Sequence, residues 1–266
     1  MGSVTSPTRA RSSRSDVLDP IPDAPAAIWD GPERVLVVAD VHAGIEAEHR
    51  REGVELPNGS ADRRERLVGL IDAHDPDRLV VAGDLGTTIG RPTGAEREEI
   101  VALLAAATER VPVTVVPGNH DGDLAAIVES DEGENGLTIT PASGAQFGEL
   151  SVCHGHTWPD GSLLAGETIV LGHEHPRVRL TDTVGGGRTE RVWLRGRLDT
   201  EPLRDQGYEI ATPPRVVVLP AFNDRSGGHP LNVPDRSFLS PLLDAALVDP
   251  EAFLLDGTRL GPLDGI

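Results

Sequence analysis

Three short runs of apolar, mostly β-branched residues constrain this chain more than any other feature. They are "RVLVVAD" (Arg34 to Asp40), "RLVVAGD" (Arg78 to Asp84) and "VPVTVVPGN" (Val111 to Asn119). Such runs lack the polar alternation of a half-exposed strand and predict strands buried on both faces. Between them lie two helical patterns. "ADRRERLVGLIDAHD" places Leu67, Leu70 and Ile71 at helical spacing. "GAEREEIVALLAAATER" turns Ile100, Leu103 and Leu104 inward and its charges outward. A β-α-β-α-β alternation of this kind predicts a parallel or mixed sheet with helical cover.

From Leu137 onward the pattern becomes β-rich. "LTITPASGAQFGELSVCHG" reads as two strands joined by a turn. "ETIVLGHEHPRVRL", "VGGGRTERVWLRG" and "PRVVVLPAFN" read as short strands punctuated by Gly and Pro. Arg197 to Pro214 reads as a surface insertion. The expected architecture is α/β, two sheets packed together with helices outside. Order is expected from near Ile28, so residues 1–27 form a flexible tail and 28–266 one domain.

The formal net charge is −19, from 43 acidic and 24 basic residues, and every basic residue is Arg. A broadly acidic surface works against tight binding to a nucleic-acid backbone. The acid is spread along the chain, which fits adaptation to high salt and separates net charge from substrate choice. One cysteine, Cys153, excludes an internal disulfide. No run of apolar residues is long enough to span a membrane. The Arg- and Ser-containing start lacks the apolar core of a secretory signal, so a soluble, cytoplasmic protein is expected.

Polar residues stand where the apolar runs end. The first is followed by Asp40 and His42, the second by Asp84, the third by Asn119, His120 and Asp121. "LSVC" is followed by His154 and His156, and "TIVLG" by His173 and His175. Loops at the carboxyl ends of strands are where open α/β sheets place ligand sites. A single His or Asp at a strand end is more often a hydrogen-bonded or capping residue than a ligand. Five such places in order are much harder to obtain by chance. Imidazole and carboxylate ligate Zn, Mn and Fe, and their number exceeds what one ion needs. A bridging carboxylate and two ions are the economical reading.

These residues resemble the calcineurin-like metallophosphoesterases: Asp40-Val41-His42, Gly83-Asp84, Gly118-Asn119-His120-Asp121, His154 and Gly172-His173-Glu174-His175. "ADVHAGIEAEHRREGVELP", "GHEHPRVRL" and "LPAFNDRSGGHPLN" are similar, more closely, to archaeal phosphoesterases described as related to the nuclease subunit SbcD. The resemblance implies a four-layer α/β/β/α sandwich of two mixed sheets. It implies two divalent ions, Mn2+ first, with Zn2+, Fe2+ or Ni2+ as alternatives. Asp40, His42, Asp84 and His175 would hold one ion, and Asp84, Asn119, His154 and His173 the other. A shared hydroxide would attack the phosphorus in line, and His120 would protonate the leaving oxygen. Asp121 would support its loop or begin the next helix.

In "HGH", His154 is preferred as ligand because it directly follows the strand, leaving His156 behind the ligand or facing substrate. Thr87 stands where many relatives carry an Asp or His beside the catalytic imidazole. A hydroxyl can hydrogen-bond that ring but cannot stabilise its charge as a carboxylate does. His49, His74 and His229 receive no role. The expected activity is a phosphodiesterase, acting on nucleic acid, cyclic nucleotides or another phosphate ester. The competing readings are a non-catalytic scaffold of the same fold, which should have lost ligands or His120, and a single-metal hydrolase or oxygenase, for which there are too many ligands.

Overall fold

The computed structural model describes residues 18–128, 136–182, 185–234 and 236–266. The first sheet contains β1 (Leu18–Pro20), β2 (Ala27–Asp30), β3 (Arg34–Val38), β4 (Arg78–Ala82), β5 (Val113–Val116) and β6 (Leu137–Ile139), in that spatial order. The two hairpin neighbours β1 and β2 run antiparallel, and β3 to β6 are parallel. The connections carry α1 (Ile45–Arg51), α2 (Ser60–His74), α3 (Gly94–Thr108) and α4 (Leu124–Val128).

The second sheet collects β7 (Ala145–Phe147), β8 (Leu150–Cys153), β9 (Thr168–Leu171), β10 (Arg177–Thr181), β11 (Gly187–Leu198), β12 (Arg215–Val218), β13 (Leu247–Leu254) and β14 (Arg259–Pro262). Its order is β14-β13-β11-β12-β9-β8-β7, with β10 paired to β11. Here β8, β9 and β12 are parallel and the remaining pairs antiparallel. Two short helices, α5 (Thr200–Asp205) and α6 (Pro241–Ala246), accompany this sheet.

Side-chain alternation builds the layers. On β3, Val35 and Val37 join Trp29, Val80, Val152, Val170 and Trp193 between the sheets. Leu36 and Val38 face the other way, against Leu67, Ile71, Ile100 and Leu103 of α2 and α3. The far face of the second sheet is covered by Leu203 of α5 and Leu242 and Leu243 of α6. The result is the expected α/β sandwich of two mixed sheets with helices on both outer faces. Each fully buried Val, Leu or Ile contributes about 1.5–3 kcal/mol, so the unbroken apolar runs are what hold the layers together.

Four expectations need correction or refinement. The first sheet starts at Leu18, not near Ile28, because Leu18–Pro20 pairs with Ala27–Trp29 and buries Leu18 between the sheets. The expected tail over 1–17 lies outside the described residues. Leu137 to Gly155 holds three strands rather than two, with β6 closing the first sheet and β7 and β8 opening the second. Arg197 to Pro214 is not wholly a surface insertion: Leu203 is fully buried and Tyr208 packs beside Trp158. Finally, the acids of α3 do not all face outward. Glu96 and Glu99 are 4% and 6% exposed, because backbone amides and the Arg63 guanidinium receive them. Among the described residues no helix is long and apolar enough to cross a membrane.

Candidate metal centre and active site

The carboxyl ends of β3, β4, β5, β8 and β9 meet on one side of the two-sheet sandwich and bring together every predicted ligand. Asp40, His42 and His175 form one cluster, and Asp84, His154 and His173 a second. In each, the potential ligand atoms lie within 4.8 Å of one another. Asp84 belongs to both neighbourhoods: its Oδ2 lies 3.3 Å from His154 Nε2 and 3.9 Å from His42 Nε2. Asn119 Oδ1 stands 3.2 Å from His154 Nε2.

The backbone pays a conformational penalty for this convergence. Among the described residues eight non-glycine positions have positive φ, and five of them are Asp40, His42, Asp84, His173 and His175. Left-handed backbone at a non-glycine residue is uncommon, though Asp and His tolerate it better than most. Such conformations persist where the surroundings impose them, and they gather at functional sites. Here they turn the chain sharply as each strand ends. Gly118 is required for a different reason. A Cβ added there would sit 2.1 Å from Asp84 Oδ1 and 2.6 Å from the Asp84 amide nitrogen.

The ring orientations suit metal. His154 Nδ1 faces the Ala82 carbonyl at 3.0 Å, and His175 Nδ1 faces the Gly227 carbonyl at 3.0 Å. In the neutral ring, donation to those carbonyls would leave each Nε2 with a lone pair turned inward, the usual arrangement for a metal-binding His. His175 Nε2 then meets His42 Nε2 at 3.0 Å. Imidazoles and carboxylates gathered this closely form a donor set that fits divalent metal.

Electrostatics point the same way. Burial would raise Asp40, but the imidazoles of His175 and His154 outweigh it and hold the carboxyl below its ordinary value. Asp84 is likewise lowered despite burial, chiefly by His154. Burial pushes His42 and His173 down to about 4. For His154, burial opposes the charge, yet the Asp84 and Asp40 carboxylates raise it to about 9.

His120 points into the same cleft, with Nε2 3.9 Å from Asp84 Oδ2 and its backbone amide on Asp84 Oδ1 at 3.0 Å. Its Nδ1 is held by the backbone carbonyl of Thr87. The Thr87 hydroxyl does not reach the ring; it donates to the Ala43 carbonyl at 2.7 Å. Asp121 accepts from the amides of Gly118, Gly86 and Leu85 at 2.9, 3.2 and 3.3 Å, and burial raises its carboxyl. It therefore braces the loop that carries Asn119 and His120. His156 lies outside both clusters, its ring centroid 5.3 Å from that of His154. Its Nδ1 is buried with no hydrogen-bond partner.

Sequence reasoning missed several residues that frame the site. Asn223 is fully buried and donates to the Val41 and His42 carbonyls, both at 3.1 Å. Its amide nitrogen receives no signal from periodicity, because it sits in a loop far along the chain. Glu174, between His173 and His175, accepts from the Ser240 amide at 2.6 Å. His229, Arg236 and Leu239 also line the cleft, whose volume is about 730 Å3. A cavity of about 790 Å3 along β11 to β13 contains none of the ligands.

A family model described as calcineurin-like phosphoesterase matches residues 33–210. The chain belongs to that family. The match begins just before β3 and includes every candidate ligand and His120. Among solved structures, the nuclease MPE of Pseudomonas putida aligns with a TM-score of 0.49 and 18% identity, over 92% of this chain and 100% of that one. Yfce, a phosphoesterase from E. coli, aligns with a TM-score of 0.39 and 15% identity, over 85% of this chain and 96% of that one. No curated protein matches the sequence.

Proposed function

We propose that this phosphoesterase is a dinuclear-metal phosphodiesterase. The observation that carries the reading is Asp84, placed between two ligand clusters with His120 beside them in one cleft. Asp40, His42, Asp84 and His175 would hold one ion, and Asp84, Asn119, His154 and His173 the other. Bound divalent ions supply positive charge for the phosphate oxygens and acidify a water toward neutrality.

The chain's own residues do the rest. The Asp84 carboxylate reaches toward both clusters and also anchors the His120 amide. The Thr87 carbonyl fixes the His120 ring through Nδ1, so Nε2 is the atom left facing the cleft. Protonated there, it donates to the leaving oxygen as the ester bond breaks. A positioned general acid contributes about 10²–10⁴-fold. No side chain here need bond covalently to phosphorus.

The finer proposals are these. Mn2+ is the working metal, the substrate is a phosphodiester of nucleic-acid or cyclic-nucleotide type, and the protein works in a salty cytoplasm. Kinship with the archaeal SbcD-related group is supported by "LPAFNDRSGGHPLN", whose Asn223 and Gly227 hold the first cluster from behind. The test is hydrolysis of bis(p-nitrophenyl) phosphate in high salt, with Mn2+ returned to metal-stripped protein. Metal-dependent turnover that collapses in His120→Ala, with both ions still bound, is the expected result. Folded, metal-loaded protein with no turnover would overturn the reading.

A further inference from the structure

The partner of His120 is a peptide group, and that peptide is itself held by a buried carboxylate. The Thr87 carbonyl and the Thr88 N–H belong to one peptide plane. The carbonyl accepts from His120 Nδ1. The N–H donates to Glu96 Oε1 at 2.8 Å, and the Thr87 amide donates to the same oxygen at 2.7 Å. The Thr88 hydroxyl completes the hold, on Oε2 at 2.6 Å. Glu96 thus takes three hydrogen bonds from two successive residues.

The surroundings are fitted to Glu96. It is almost fully buried in the first turn of α3. Gly44, in left-handed backbone at φ 81°, lets the loop after β3 pass so close that an added Cβ would lie 2.4 Å from Glu96 Cβ. Hydrogen bonds in series polarise one another. A carboxylate at the N–H end of a peptide draws that proton and leaves more negative charge on its carbonyl oxygen. The oxygen so enriched is the one that holds His120.

We propose that Glu96 is a positioning residue for His120, acting through the Thr87–Thr88 peptide in place of a side-chain partner. This rests on the reading of His120 as proton donor. The chain of contacts runs carboxylate, peptide, imidazole, and no link in it involves a metal ligand's side chain. Glu96 orients the ring without touching substrate.

The experiment is a double-mutant cycle in Mn2+-loaded protein. Glu96→Ala and Glu96→Gln are each made alone and with His120→Ala, and kcat and KM are measured on a p-nitrophenyl and a phenyl phosphodiester. Phenolate is the poorer leaving group and needs the proton more. Glu96→Ala should lower kcat on the order of 10-fold, a share of what a general acid supplies. KM should hardly move, and the phenyl ester should suffer more. Glu96→Gln keeps an acceptor oxygen without the charge and should fall between, giving a folded variant if alanine does not fold. In the His120→Ala background neither change should cost more than about 2-fold, since coupled residues are non-additive. Equal losses in both backgrounds, or equal losses on both esters, would overturn the inference. An inactive His120→Ala with an unaffected Glu96→Gln and Glu96→Ala would also overturn it, while leaving the function intact. A fully active His120→Ala would remove the functional reading and this inference together.

Discussion

His42 and His175 face each other nitrogen to nitrogen, Nε2 to Nε2, at 3.0 Å. His175 has committed its Nδ1 to the Gly227 carbonyl, so in the neutral ring its inward nitrogen is the one with a lone pair. A divalent ion would accept a lone pair from each ring. Metal-stripped protein should therefore take up two ions per chain by equilibrium dialysis and unfold at a higher temperature when loaded, because a ligand that binds only the folded state stabilises it by mass action. Asp84→Asn, which weakens the carboxylate shared by both clusters, should depress both uptake steps. Two ions bound with unchanged affinity in that variant would refute the shared role.

Stability of the metal-free protein should peak near neutrality. His42 and His173 have folded values depressed to about 4, against an ordinary value near 6.5. Below about pH 6.5 the unfolded chain takes up those protons and the folded chain does not, so stability falls as pH drops toward 4. His154 is raised to about 9. Its contribution is fully present below about 6.5 and is lost as pH rises through 9. Metal loading should erase the alkaline loss, since the ion takes the place of the His154 proton. Thermal unfolding from pH 4 to pH 10, with and without Mn2+, reads this out; an alkaline limb that survives metal loading contradicts it.

Gly118→Ala should disable the site without unfolding the protein. The new methyl would meet the Asp84 side chain at 2.1 Å and its backbone nitrogen at 2.6 Å. Either Asp84 moves or the Asn119–His120 loop does. A displacement of about 1 Å at a catalytic group can cost on the order of 100-fold in rate. Retained turnover in Gly118→Ala, measured on folded protein, would show that the loop can yield without harm.

His154 and His156 should part company on mutation. His154 is fully buried, with Nδ1 on the Ala82 carbonyl and Nε2 toward Asp84 and Asn119. His154→Ala should lose an ion. His156→Ala should keep both, and removing its unpartnered buried nitrogen should leave the unfolding temperature unchanged or raise it. An ion lost from His156→Ala instead would transfer the ligand role.

The convergence of the candidate ligands was legible in the sequence because each sits at the end of an apolar run, and such a run, short and β-branched, reads as a buried strand whose carboxyl end opens on the site. "RVLVVAD" and "RLVVAGD" yielded Asp40 and Asp84 in this way. The α/β layering followed from the same runs and from Leu67, Leu70, Ile100 and Leu103 at helical spacing. Composition and local pattern sufficed there, since burial of apolar surface is decided mainly by spacing.

The supporting contacts were not legible, because each joins residues that the chain keeps far apart or that local pattern misassigns. Glu96 and Glu99 read as solvent-facing acids on an amphipathic helix, yet the loops after β3 and β4 fold over them and supply amides. Thr87 read as a weak hydroxyl partner for His120, and the contact is its carbonyl instead. Asn223 reaches back 181 residues to the His42 carbonyl. The sequence by itself determined which residues stand at the strand ends and what chemistry they carry. Tertiary structure alone decided which backbone amides and carbonyls hold them, because every residue carries such groups and only packing selects which of them meet.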